Sequence, residues 1–215
     1  MQKVTQPAAD RELPRSCRFR SSRLREGDAL PTVDRLLDRA RSVLLVIDLQ
    51  EAYRGKLHGE TRLVAASQRM LQAAALLGVP VVVTEQYPKG LGATREEIAA
   101  YVPAAARRFE KTSFSALGAP GLREHLAELG RDQVVMVGIE THVCVSQTVH
   151  ELLASGCAVH VLRDAIGARF ALDDETGFAK LVGSGAVPST SECALFEWLR
   201  DARAPEFKAI HRLVV

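Results

Sequence analysis

The amino-acid sequence predicts an α/β protein. The expectation is a single three-layer α-β-α domain, residues 30–215, built on a mostly parallel, Rossmann-like sheet, with residues 1–29 as an N-terminal extension. Three observations carry it. Short apolar runs alternate with longer stretches whose apolar residues recur at helical spacing, the pattern of β-α-β units with right-handed crossovers. The runs are apolar at nearly every position, as in strands covered on both faces. And a chain of 215 residues that is 47% hydrophobic and 25% charged can bury one sizeable core.

Each element follows in turn. Residues 1–29 are rich in Arg and Ser, lack a sustained apolar period, and read as a disordered extension. Val33, Leu36, Leu37 and Ala40 suggest a short amphipathic helix over 32–40 leading into the domain. "SVLLVID", 42–48, is the first buried strand. Leu63, Val64, Ser67, Met70, Leu71, Ala74 and Leu77 then share one helical face over 61–77, and Gly78 closes that helix. "VPVVVTE", 79–85, is the second strand, followed by an irregular loop carrying Pro88, Gly90 and Gly92. A short strand is expected over 107–114, a helix over 119–129, a strand over 133–139 and a helix over 142–155. A strand over 157–164, a helix over 174–185, the segment "AVPSTSE", a helix near 191–201 and a short tail helix complete the series.

Composition excludes several classes of function. Residues 1–41 hold ten Lys/Arg and six Asp/Glu, leaving 18 and 20 in the rest, so the basic excess is confined to the N-terminal segment. The body offers no polycationic face for nucleic acid. No apolar run approaches the ~18 residues of a membrane span, so no membrane role is expected. No secretory signal is read near the N-terminus. Four cysteines, Cys17, Cys144, Cys157 and Cys193, form no CxxC pair, which fits free thiols in a reducing cytoplasm.

In open α/β sheets ligands bind beyond the carboxyl ends of the strands, near the switch in strand order. That rule selects Asp48, Glu85 to Tyr87, Lys111, Glu140 to Cys144, and Asp164. Thr141 reads as an N-cap, placing Cys144 in the first turn of the following helix, where the helix dipole should lower the thiol pKa. Free cysteines are more often small core residues, the reading given to Cys157 and Cys193. Asp48 could serve as general base for the thiol, and Lys111 could offset the charge of both.

The segments "VLLVIDLQEAY", "VTEQYPKGLGAT", "FEKTSFSAL" and "VGIETHVCVSQTVHELL", in this order, with the late "GAVPSTSE", resemble the isochorismatase-like cysteine hydrolase superfamily, specifically its branch of isochorismatase-domain-containing hydrolases. The resemblance runs from about residue 42 to 213. It implies a catalytic triad of Asp48, Lys111 and Cys144, a cis peptide at Ile139–Glu140, an oxyanion hole from the N–H groups of Glu140 and Cys144, and a homo-oligomer. The expected reaction is hydrolysis of a small amide-like C–N bond through a thioester, on a small-molecule substrate, with Gln86, Tyr87 and Phe114 shaping the pocket. Nicotinamidases of this superfamily bind a metal through an Asp-x-His element. No such element follows either of the first two strands, and the six histidines show no ligand spacing, so neither metal nor other cofactor is expected. "GLGATR" lacks the GxGxxG pattern of a dinucleotide site. A redox or thiol-reactive protein using the same cysteine, and a non-catalytic interaction protein on this fold, remain alternatives.

Overall fold

The computed structural model describes residues 35–215. Six strands form one sheet: β1 (Ser42–Ile47), β2 (Val81–Gln86), β3 (Arg107–Lys111), β4 (Gln133–Ile139), β5 (Ala158–Gly167) and β6 (Val187–Ser189). Every neighbouring pair is parallel and the order is β3-β2-β1-β4-β5-β6. Strand order therefore reverses between β1 and β4, which opens a crevice beyond their carboxyl ends.

β1 shows why the sheet has two cores. Leu44 and Val46 point to one face, where they join α1 (Glu60–Leu77) through Leu63, Met70 and Leu71 and α7 (Ser191–Leu199) through Leu195 and Trp198. Val43, Leu45 and Ile47 point to the other, against Leu122 of α4 (Leu122–Leu129), Val149 of α5 (Ser146–Ala154) and Leu181 of α6 (Ala171–Gly183). Burial of both faces explains the unbroken apolar runs. Short helices α2 (Pro88–Leu91), α3 (Glu96–Ala99) and α8 (Phe207–His211) complete the set. Gly78 caps α1 in the left-handed conformation, its N–H donating to the Ala74 carbonyl. Among the described residues no helix is long and apolar enough to cross a membrane.

Several boundaries differ from expectation. The helix expected over 32–40 is absent from 35–40; residues 1–34, which include the expected extension, lie outside the described residues. The N–H groups of Leu37 and Asp38 donate to the side chains of Glu197 and Gln133, and the Leu37 carbonyl accepts from Arg200, so distant side chains take the bonds a helix would need. β3 ends at Lys111 because the chain then turns, bringing the carbonyls of Ser113 and Phe114 to the lysine ammonium. The helix expected from 119 begins at Leu122, after a left-handed Gly121. β5 continues to Gly167, with a register shift opposite Met136 to Gly138. Gly138 is required there: its φ is +126°, and a Cβ would lie 2.1 Å from the Ile47 carbonyl oxygen.

Candidate active site

The three chemistry-bearing residues arrive on different strands. Asp48 directly follows β1, Lys111 ends β3, and Cys144 lies just past β4. All three are buried. The Lys111 ammonium donates to Asp48 Oδ2 at 2.6 Å and to Cys144 Sγ at 3.5 Å. The second Asp48 oxygen accepts from Thr84 Oγ1 at 2.7 Å. Asp48 is a non-glycine residue with φ +53°, an uncommon conformation that clusters at functional sites. Its N–H donates to the Thr84 carbonyl, so β2 fixes both backbone and carboxylate.

The nucleophile turn is not a regular helix start. Residues Thr141–Val145 form a single π-helical turn, and α5 begins only at Ser146. The Glu140 carbonyl accepts from the N–H groups of Val143 and Val145, at 3.0 and 3.2 Å, passing over that of Cys144. Widened turns of this kind are frequent at functional sites. Thr141 does not cap the helix as expected: Glu140 holds that position, and the Thr141 hydroxyl donates instead to Asp174 at 2.6 Å. The Ile139–Glu140 peptide is cis. The buried Glu140 carboxylate accepts from the N–H and Nε of Arg169, at 3.1 and 2.8 Å.

The thiol is held in its neutral form, which corrects the sequence-based sign. Burial pushes the Cys144 pKa up to about 12. The Asp48 carboxylate pushes the same way, and the Lys111 ammonium pulls back. The helix-end argument left out burial and the neighbouring carboxylate, both of which act against ionisation. The accessibility of the other thiols is corrected too: Cys193 is exposed and Cys157 half-buried, whereas Cys144 is buried.

Of the expected pocket residues, Gln86 supports the lysine. Its amide oxygen accepts from Lys111 at 2.6 Å and its nitrogen donates to the Thr112 carbonyl, which leaves each group one further hydrogen-bonding position. Tyr87 and Phe114 are more than half exposed, in the segments flanking Lys111. Two rim carboxylates serve elsewhere: Glu85 accepts from Thr94, and Asp164 from Ser191 at the start of α7. Sequence reasoning missed Thr84, Arg169, Asp174 and Tyr53. The Tyr53 phenol pKa is raised by burial and by the charges of Glu140 and Cys144. A strand Thr and a helix Asp carry no sequence signal of such contacts; Tyr53, five residues past Asp48 in a 3-10 turn, could have been found by its spacing. Among the described residues no group of three or more His, Cys, Asp or Glu could hold a metal ion.

A thiol, a carboxylate and an ammonium are thus gathered at the switch point of an all-parallel, doubly wound sheet, where ligands of this class of α/β architecture bind. Residues 42–193 match the family model described as Isochorismatase domain, and the chain belongs to that family. Isochorismatase domain-containing protein 1 of Danio rerio is 39% identical over 179 residues, covering 83% of this chain but only 62% of that protein. The chain thus spans less than two thirds of that relative. The secreted isochorismatase effector Isc1 of Phytophthora sojae is 40% identical over 177 residues, covering 80% of this chain and 84% of that one. Among solved structures, the MAR1 ribonuclease of Caenorhabditis elegans superposes with a TM-score of 0.80 at 35% identity, covering 83% of this chain and 92% of that one.

Proposed function

We propose that the protein hydrolyses a small amide-like C–N bond with Cys144 as nucleophile. The observation that carries this is Lys111, which touches both the candidate base, at 2.6 Å, and the candidate nucleophile, at 3.5 Å. Because the thiol rests neutral, Asp48 takes its proton as Sγ attacks the carbonyl carbon. The lysine ammonium stays charged and stabilises the pair through the transfer. The carbonyl π electrons move to oxygen, where the N–H groups of Glu140 and Cys144 receive the charge. Collapse breaks the C–N bond, the amine leaves with the proton held by Asp48, and a thioester remains. Water, deprotonated by Asp48, attacks the thioester and releases the acid and the free thiol.

The same thiol argues against the redox reading. Redox-sensor cysteines combine exposure with a low pKa, and Cys144 has neither. The substrate is a small molecule in this reading, with Tyr87, Phe114 and Tyr53 on the pocket walls, and no metal takes part. A cytoplasmic setting suits a thiol that must stay reduced, although the relative Isc1 is a secreted effector.

The test is a panel of small primary and secondary amides, with mass detection of an acyl group on Cys144. Turnover should survive exhaustive chelation and vanish in Cys144→Ala. Full activity of Cys144→Ala, or loss on chelation restored by zinc, would overturn the mechanism. RNA belongs in the panel because the MAR1 relative is named a ribonuclease; RNA cleavage without amide turnover would overturn the substrate class.

A further inference from the structure

The proposed oxyanion donors lie on a turn whose residues are tied, one after another, to the segment that runs from the end of β5 into α6. Glu140 is tied through its carboxylate to Arg169. Thr141, fully buried, donates to Asp174 Oδ1 at 2.6 Å. His142 is packed by backbone contact: a Cβ on Gly177 would lie 3.0 Å from its nitrogen and 3.1 Å from its Cα. Asp174 is itself fully buried, and its second oxygen accepts from Arg163 Nη1 at 2.8 Å. Arg163 in turn lies over the Phe178 ring on the same helix, 5.1 Å from its centroid.

A buried carboxylate is costly to place unless it is paired, so this one is held at a defined point. It receives the hydroxyl of the residue between the two candidate donors' ends of the turn. Thr141 follows Glu140 directly and precedes Cys144 by three residues, so rotation of the Thr141 unit would redirect both N–H groups. We infer that Thr141 is a positioning residue: its side-chain bond to Asp174 sets the direction of the N–H groups that receive the oxyanion. This rests on the hydrolase reading above. The ordinary alternative is that the Thr141–Asp174–Arg163 chain anchors α6 and bears only on stability.

Two reactions of the same sulfur separate these. Acylation of Cys144 by p-nitrophenyl acetate forms the S–C bond, moves the carbonyl electrons onto oxygen and then expels p-nitrophenolate, so it uses the oxyanion donors. Alkylation by iodoacetamide displaces iodide at a saturated carbon and does not. Both are read by mass on Cys144, with Cys17, Cys157 and Cys193 replaced by Ser. Thr141→Val should slow acylation about 10- to 100-fold, the cost of a small misplacement, while alkylation changes less than about twofold. Thr141→Ser, which keeps the hydroxyl, should recover acylation to within about threefold. If the valine variant does not fold, Thr141→Ala is read in the same way. Unchanged acylation in the variant, or an equal slowing of both reactions, would overturn the positioning role. Absence of any acyl adduct on Cys144 in the Thr141 parent would instead remove the hydrolase reading, and this inference with it.

Discussion

Lys111 has three ammonium protons and five acceptors around it: Asp48 Oδ2, Gln86 Oε1, Cys144 Sγ and the carbonyls of Ser113 and Phe114. Such a cage gives every ammonium hydrogen an acceptor, and the lysine sits where its charge opposes that of the carboxylate beside the thiol. Asp48 opposes thiol ionisation through both its charge and its hydrogen bond, and Lys111 favours it. Asp48→Asn should therefore lower the Cys144 pKa from about 12, while turnover falls by at least about 100-fold because the base is gone. The ultraviolet absorbance of the thiolate, titrated upward in pH with Cys144→Ala subtracted, measures the first effect. Superimposable titrations of the wild type and Asp48→Asn would refute this account. Asp48 and Cys144 could be picked out in the sequence because each follows an apolar run, whereas Lys111 ends the mostly polar "RRFEK" and stood out only as a basic residue in an expected strand. Thr84 and Asp174 could not be picked out: a Thr within a strand reads as a β-branched filler, and nothing in the 33-residue separation of Thr141 and Asp174 announces a contact.

At the scale of elements, the site depends on how closely β1 and β4 approach. Gly138 lies in β4 beside Ile47, the last residue of β1, and their backbones leave no room for a side chain. A Cβ there would meet the nitrogen, carbonyl carbon and oxygen of Ile47 at 2.6, 2.8 and 2.1 Å, and none of these is a flexible side-chain end. Gly138→Ala adds a positive φ penalty to that clash, so its cost should exceed the usual 1–3 kcal/mol of overpacking and reach about 4 kcal/mol or more. Gly183→Ala is the matched control. That glycine ends α6 with nothing within 4 Å of the added Cβ, so the change should stabilise by up to about 1 kcal/mol. Urea unfolding midpoints compare the two, and a mild effect at Gly138 would contradict the close approach described. The sequence showed that strands and helices alternate, but not the π-helical turn at Thr141–Val145. The residues of that turn fit an ordinary helix start, and its packing against α6 is a tertiary contact that no local pattern announces.

At the scale of the molecule, alternation of strands and helices implies a parallel sheet but leaves strand order open, since several orders satisfy the same short right-handed connections. The observed order puts β1 and β4 together at the centre and β3 at one edge, so Lys111 must reach across β2 to meet Asp48. Every group of the site lies on an element from β1 onward, and the first described residues attach at the opposite end of the strands, with Leu37 and Asp38 bonded to Glu197 and to Gln133 at the start of β4. Removal of residues 1–34 therefore takes away seven Lys/Arg and five Asp/Glu and none of the candidate site residues. The truncated protein should keep the thermal midpoint and the acylation rate of Cys144 within about twofold of the full chain. The expected homo-oligomer offers the competing role for this basic-rich segment: it could bind an acidic patch of a second copy. Light scattering on the full and truncated chains decides between them. The same mass for both, as a multiple of the chain, is the expected result. A lower multiple after truncation would make residues 1–34 part of the assembly and refute their reading as a dispensable extension.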